Sequence, residues 1–138
     1  MYYEWHHTVP ATSSEKDKEH VEIEPGGEIL KRVEVDFPVG CYGLVRSQLL
    51  QGGFQVHPAN PQGYVAGNGV RIVADMHYDM TKNAGQWYWD TWSTSCAYGH
   101  ELTLAMTTFE RWELLVRLDS ASIVDLFKGQ GVTGGDSG

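Results

Sequence analysis

The chain consists of short segments in which apolar and polar residues alternate, separated by clusters of glycine, proline and asparagine. Between Ile29 and Phe37, apolar side chains share one face of a strand and mainly polar side chains share the other, with Lys31 as an exception. Successive strand residues point to opposite faces, so this pattern predicts half-buried strands. The same alternation recurs with these inward residues: Val21 and Ile23; Val45 and Leu49; Phe54 and Val56; Val70, Ile72, Ala74, Met76 and Tyr78; Leu102, Leu104 and Met106; and Trp112, Leu114, Val116 and Leu118, a set that also fits a helix.

Turn signals lie between these segments at close spacing, which is typical of a sandwich or barrel. The run Gly67-Asn68-Gly69 predicts a hairpin turn that joins a strand at residues 64–66 to the strand beginning at Val70. Strands joined by short turns pair antiparallel, because parallel neighbours need long crossover connections. We therefore predict an all-β fold, an antiparallel β-sandwich that is jelly-roll-like.

The two ends of the chain differ from this pattern. Residues 120–127 predict a short C-terminal helix, which Asp119 or Ser120 caps and Gly129 closes. Residues 129–138 are rich in glycine and predict a flexible tail. The expected organisation is one β-sandwich domain over residues 1–128, with an N-terminal arm and the C-terminal helix, followed by the tail at 129–138.

Composition narrows the range of partners. The chain has 138 residues, of which 41% are hydrophobic, enough for one packed domain. Its formal net charge of -8 disfavours binding to a phosphate backbone or to an anionic membrane. No apolar stretch approaches the ~20 residues that span a bilayer, and the N-terminus lacks the basic start and apolar core of a signal peptide. We expect neither nucleic acid nor a membrane as a partner.

The residues that commonly carry chemistry form no known motif. The six histidines fit no HExxH pattern and no GxSxG elbow is present. Cys41 and Cys96 form no CxxC pair. They are expected to be separate buried thiols, with a disulfide left open for an oxidising setting. The sequence therefore predicts no catalytic residues, no metal site and no cofactor, and a protein that is not an enzyme.

Aromatic residues are concentrated in residues 86–92. Trp87 and Trp89 share one face of the predicted strand, and Tyr88 and Trp92 share the other. This indicates either a central strand covered on both sides or a strand with one face against a partner. Exposed aromatic rings can stack on sugars or anchor protein interfaces. The candidate carbohydrate-binding residues are Trp89, Asp90, Trp92 and Tyr98, although most of the tryptophans also fit a core.

Candidate interface residues lie at both ends of the chain. Tyr2, Tyr3 and Trp5 stand in the predicted N-terminal arm, and such an arm often packs on a neighbouring subunit. Ile123, Val124 and Phe127 share one face of the predicted C-terminal helix. Both sets are suited to a symmetric homo-oligomer.

Residues 21–107 also carry a run of turn signals in a fixed order. An alternating strand ends in Phe37-Pro38, and the turns at Gly40-Cys41, Gly52-Gly53 and residues 58–61 follow it. In this pattern the chain resembles small β-sandwich accessory structural proteins of tailed-phage virions, such as decoration, turret or fibre-base proteins. The resemblance implies no catalytic residues to transfer, a location in the virion, and partners that are other copies of the chain and a capsid or tail protein.

Two functions follow as hypotheses. The first is a non-enzymatic virion structural protein (capsid decoration, turret, tail or fibre component) that assembles through its terminal segments. The alternative is a carbohydrate-binding module or lectin-like domain with a glycan as its partner. For the alternative, a cytoplasmic location or secretion without a visible signal peptide also remains open.

Overall fold

The computed structural model describes residues 1–60, 62–83 and 85–113. The chain divides into two compact units, Met1–Thr108 and Phe109–Gly138. In the second unit the described residues include one short helical turn at 111–113, which contains Trp112. The predicted helix at 120–127, with its candidate residues Ile123, Val124 and Phe127, and the predicted tail at 129–138 lie outside the described residues.

Strands are the main regular secondary structure of the described chain, as its alternating pattern predicts. In chain order they are β1 (Tyr2–Val9), β2 (Glu19–Ile23), β3 (Ile29–Phe37), β4 (Val45–Gln51), β5 (Phe54–His57), β6 (Val65–Ala66), β7 (Val70–Asp79), β8 (Trp87–Ser93) and β9 (His100–Phe109). A 3₁₀ turn at Glu15–Asp17 precedes β2.

The strands form two antiparallel sheets that pack as a sandwich. The first sheet has the order β1-β9-β3-β7, and the second has the order β2-β8-β4-β5, with the short β6 also paired to β4. Four of the ladders are nested and join β1 to β9, β2 to β8, β3 to β7 and β4 to β5. Pairing of β9 with β3 and of β8 with β4 joins these ribbons side by side into the two sheets. This nested pairing is that of one long antiparallel ribbon rolled over on itself, which is a jelly roll. The prediction of an all-β, jelly-roll-like sandwich is confirmed.

The core fills the space between the two sheets. Trp89 on β8 is fully buried there, lies opposite Leu49 of β4, and donates its indole N–H to the Ser47 hydroxyl at 2.8 Å. This hydrogen bond satisfies the one polar atom of the side chain, so burial carries no unpaired donor. The core cluster comprises Val9, Ile23, Leu30, Val33, Val35, Phe37, Cys41, Val45, Leu49, Val56, Met80, Trp87, Trp89, Leu102, Leu104 and Met106.

The prediction for Leu30, which alternation places on the polar face of β3, is wrong. Leu30 is fully buried, as is its neighbour Ile29 at 1% exposed. The cause is a shift in the β3–β7 pairing, where Leu30 lies opposite Tyr78 but Arg32 lies opposite Asp75. β7 therefore contributes one extra residue, a β-bulge that interrupts the period of two and also accounts for the irregular position of Lys31.

The predicted hairpin at Gly67-Asn68-Gly69 is also wrong. Residues 65–66 pair with β4 in the second sheet, whereas β7 belongs to the first sheet, so this turn crosses between sheets. Asn68 holds the crossing in place, because its side-chain oxygen accepts hydrogen bonds from the backbone N–H groups of Gly40 and Tyr42 at 2.8 and 3.2 Å. Gly69 has a φ of 60°, a conformation that favours glycine.

Replacement of Trp89 by alanine tests the central packing of the second sheet. We expect Trp89→Ala to lower the free energy of unfolding by about 3–5 kcal/mol, because it leaves a large cavity beside Leu49. Urea titration followed by circular dichroism measures this change. The control is Val73→Thr on β7, where the side chain is 48% exposed, and a change within about 0.5 kcal/mol is expected. Equal effects of the two substitutions would contradict this account of the core.

Candidate functional site

The residues predicted as an N-terminal arm form a regular edge strand. All of β1 pairs antiparallel with β9 in an unbroken register, from Tyr2 opposite Thr107 to Val9 opposite His100. These residues are therefore an edge strand of the first sheet, which corrects their interpretation as an N-terminal arm. Its sequence carried the signal, since Tyr3, Trp5, His7 and Val9 alternate with more polar residues in the period of a strand.

One long edge of β1 has no strand partner in the described chain. Met1 and Thr108 exchange backbone hydrogen bonds at the start of the ladder. Because hydrogen-bonded pairs alternate along an antiparallel ladder, the odd-numbered residues of β1 direct their backbone groups at β9. The even-numbered residues direct theirs away from β9. These free-edge residues are Tyr2, Glu4, His6 and Thr8.

The side chains of β1 divide in the same way. Tyr3 and Trp5 point toward the second sheet and stack on each other, with ring centroids 5.8 Å apart. His7 lies on the same side and contacts the Glu19 carboxylate at 2.5 Å, which links β1 to the first residue of β2. The free-edge residues point to the outer face, and Tyr2 is 56% exposed there. Of the predicted interface residues, the structure thus gathers Tyr2, Tyr3 and Trp5 on one strand.

The other sheet edges carry features that obstruct further pairing. β5 has four residues, an extra residue between His57 and Gln55, and a proline directly after it. β7 has the bulge described above. β2 has five residues, and two of them are glutamates. Bulges, short length, proline and charge are the usual means of protecting an edge. β1, with eight residues in unbroken register, lacks bulge and proline.

The structure buries both tryptophans of the predicted carbohydrate site. Trp89 lies in the core, and Trp92 is fully buried on the outer side of the second sheet. Lys18 covers the Trp92 ring with its ammonium 5.1 Å from the ring centroid, and Tyr64 packs edge-on at 5.8 Å. Neither indole can stack on a sugar in this conformation, which corrects their assignment as exposed binding residues. At Trp89 and Trp92 the strand β8 is instead covered on both sides, one of the two arrangements that its sequence indicated.

Asp90 is a buried carboxyl beside an exposed imidazole. Its side chain is 4% exposed, and Oδ1 lies 2.6 Å from Nδ1 of His20, whose side chain is 57% exposed. Burial raises the pKa of Asp90, while the hydrogen bond and charge of His20 and the charge of Lys18 oppose this rise. Asp90 also lines a groove of about 490 Å³ on the outer side of the second sheet. The groove is bordered by His20, Glu22, Leu50, Gly53, Tyr88 and Asp90.

A larger groove of about 690 Å³ shares Leu50 and Gly53 with it. The amide side chains of the buried Gln48 and the half-buried Gln55 line this larger groove. Their donors and acceptors are already hydrogen-bonded to other groups of the protein. Gln48 accepts from Lys18 and donates to the carbonyl of Gly63. Gln55 donates to the carbonyls of Pro58, Asn60 and Gly63 and accepts from the N–H of Gln62. These amides therefore position the loop, and the groove around Asp90 is the better candidate for a ligand.

Tyr98, the remaining predicted residue, does not line either groove. It is 61% exposed, and its ring lies 4.6 Å from the buried ring of His100. The predicted carbohydrate-binding set is therefore not one cluster. His20 and Tyr88, which do lie beside Asp90, were missed because pairing of β2 with β8 brings His20 opposite Asp90.

The two cysteines are free thiols in this structure. Cys41 is buried in the core cluster, and Cys96 packs against that cluster. Burial, together with the nearby Cys96 and Asp36, raises the pKa of Cys41 to about 11. Cys41 is therefore a neutral thiol at pH 7, and a thiol is a poor nucleophile.

No family model and no curated protein matches this chain. Within residues 1–60, 62–83 and 85–113, no three His, Cys, Asp or Glu side chains converge in a way that could hold a metal ion. The part of the chain that the structure describes includes no helix long and apolar enough to cross a bilayer.

The raised pKa of Asp90 predicts a specific pH dependence. A carboxyl whose folded-state pKa is raised favours folding below its unfolded-state pKa, and this contribution is lost as pH rises through the folded-state pKa. We expect the stability of Asp90→Asn relative to the native chain to increase as pH rises from about 3 to about 7. Urea titrations across that range measure it. Glu101→Gln, an exposed change on β9, controls for the loss of one carboxylate. If the stability of Asp90→Asn relative to the native chain falls as pH rises, the raised pKa of Asp90 is contradicted.

Proposed function

We propose that this chain is a non-enzymatic structural protein of a virion, acting as a capsid decoration, turret, tail or fibre component. In this role it assembles with copies of itself and with a capsid or tail protein. The observation that carries the proposal is the free edge of β1, a long, regular strand edge at the side of a jelly roll, with which no other strand within residues 1–60, 62–83 and 85–113 pairs.

An exposed strand edge can pair with strands of other molecules. Free N–H and C=O groups in a row form a template for another strand, so proteins that remain monomeric obstruct their sheet edges. This chain obstructs β5 and β7 but not β1. An edge left open in this way is suited to strand pairing in an assembly. The jelly roll adds support by analogy, because viral capsid proteins use it often.

Particle composition tests the virion proposal. We expect the chain to co-purify at a fixed copy number with particles from cultures that produce it, as quantified by mass spectrometry after density-gradient sedimentation. An unrelated protein of similar mass added to the lysate controls for trapping. Recovery of the chain only in the unassembled fraction would rule out a structural role in the virion.

Carbohydrate binding is a second candidate, favoured by the groove beside Asp90. A buried carboxylate, an exposed imidazole and the half-buried ring of Tyr88 border this groove. Together they offer hydrogen-bonding groups for sugar hydroxyls and an aromatic face for the apolar side of a sugar ring. The predicted residue Asp90 remains in this site, whereas Trp89 and Trp92 do not.

A glycan array distinguishes this second function. We expect binding of the native chain to at least one glycan, at least tenfold weaker binding after Tyr88→Ala (about 1.4 kcal/mol), and unchanged binding after Tyr98→Ala, which lies outside the groove. Silence of the native chain across the array, or equal losses in both variants, would remove this candidate.

A further inference from the structure

We infer that two copies of this chain pair through β1 in an antiparallel, two-fold symmetric arrangement that places Trp5 opposite Trp5 of the partner subunit. The two four-stranded first sheets then continue as one sheet. This inference rests on the proposed assembly function and names the partner of its free edge as a second copy of the chain.

The direction of the backbone groups limits how two β1 strands can pair. A two-fold axis perpendicular to the sheet sets even-numbered residues opposite even-numbered residues or odd opposite odd, because directly opposed residues point to the same face. The free-edge residues are all even-numbered, so their N–H and C=O groups meet in this arrangement. Each such pair exchanges two hydrogen bonds.

The register follows from length and charge. With Trp5 at the axis, Tyr2 lies opposite Thr8 of the partner subunit and Glu4 lies opposite His6 of the partner subunit, so every free-edge residue is paired. A shift by two residues in one direction sets Glu4 against its own copy, and the opposite shift does the same for His6. Two glutamates directly opposite each other destabilise a strand pair, whereas a histidine opposite a glutamate can donate a hydrogen bond to it. The register centred on Trp5 is therefore favoured, because it avoids the contact between two glutamates and leaves no free-edge residue unpaired.

Two-fold pairing also explains how an open edge is compatible with a discrete assembly. An isologous contact uses the same surface on both copies, so both free edges are consumed and the sheet stops growing. Pairing of β1 with a different edge would leave one free edge at each end and allow filaments. In this arrangement β7 remains the outer edge of each joined sheet, and its bulge protects it.

A proline at His6 tests the use of the free edge. Proline removes the N–H that points away from β9 and leaves the β1–β9 hydrogen bonds in place, and proline is tolerated at such edge positions. By sedimentation velocity of the full chain over a concentration series, we expect the native chain to dimerise. His6→Pro should weaken dimerisation about thirtyfold or more, since two hydrogen bonds are lost per dimer. His6→Ala keeps the N–H and is the matched control, with a loss of tenfold or less.

A charge exchange tests the register and does not depend on proline. His6→Glu sets two glutamates opposite each other at two symmetric places, and we expect dimerisation about tenfold weaker. The double variant Glu4→Lys, His6→Glu restores opposite charges and should recover the native dimerisation constant within about threefold. Circular dichroism and thermal unfolding confirm that each variant retains the sandwich.

Several results would overturn the inference. These are a native chain that stays monomeric at all concentrations, equal dimerisation of His6→Pro and His6→Ala, or no recovery in the charge-exchanged double variant. The virion proposal is tested separately by particle composition. A chain that occurs in particles but is monomeric in solution contradicts the β1 dimer alone, and a dimeric chain absent from particles contradicts the virion role alone.

Discussion

The backbone ladder between β1 and β9 is the constraint on which the rest of the structure depends. It joins the first and last strands of the sandwich, and the ladders β2–β8, β3–β7 and β4–β5 are nested inside it. The ladder closes the rolled ribbon at its outer end, and it turns the face of β1 that carries Trp5 and Val9 toward the core. It also uses only one side of β1, so it creates the free edge that carries the proposed function.

In the second sheet, β8 places a buried tryptophan on each face of the sheet. β8 presents Trp89 to the core and Trp92 to the opposite side, and both are fully buried. On the core side, packing and one hydrogen bond to Ser47 satisfy the indole. On the outer side, the segment before β2 and the loop before β6 supply Lys18 and Tyr64 as a cover. The cover ends near Asp90, which leaves the groove beside it accessible.

The two candidate sites therefore differ in physical character. The edge of β1 offers backbone hydrogen bonds, which recognise another strand with little regard to its side chains, so specificity there depends on the side chains of Glu4 and His6. The groove beside Asp90 offers side-chain groups at fixed positions, which suits a small polar ligand. The sites occupy different sheets. The proposed assembly and the proposed ligand binding can thus be tested separately, with different substitutions.

The sequence by itself determined the fold class, because the period of two is a local property that each segment shows without its partners. It identified the inward residues of β3, apart from the region of Lys31, and the inward set of β9. It did not determine that residues 2–9 pair with β9, that a bulge in β7 buries Leu30, or that Lys18 covers Trp92. Each of these depends on residues far apart in the chain, such as Tyr2 and Thr107. Only the tertiary structure decided them. Which strands pair depends on how all segments pack together in one core, and no local sequence pattern indicates the partner of a given strand.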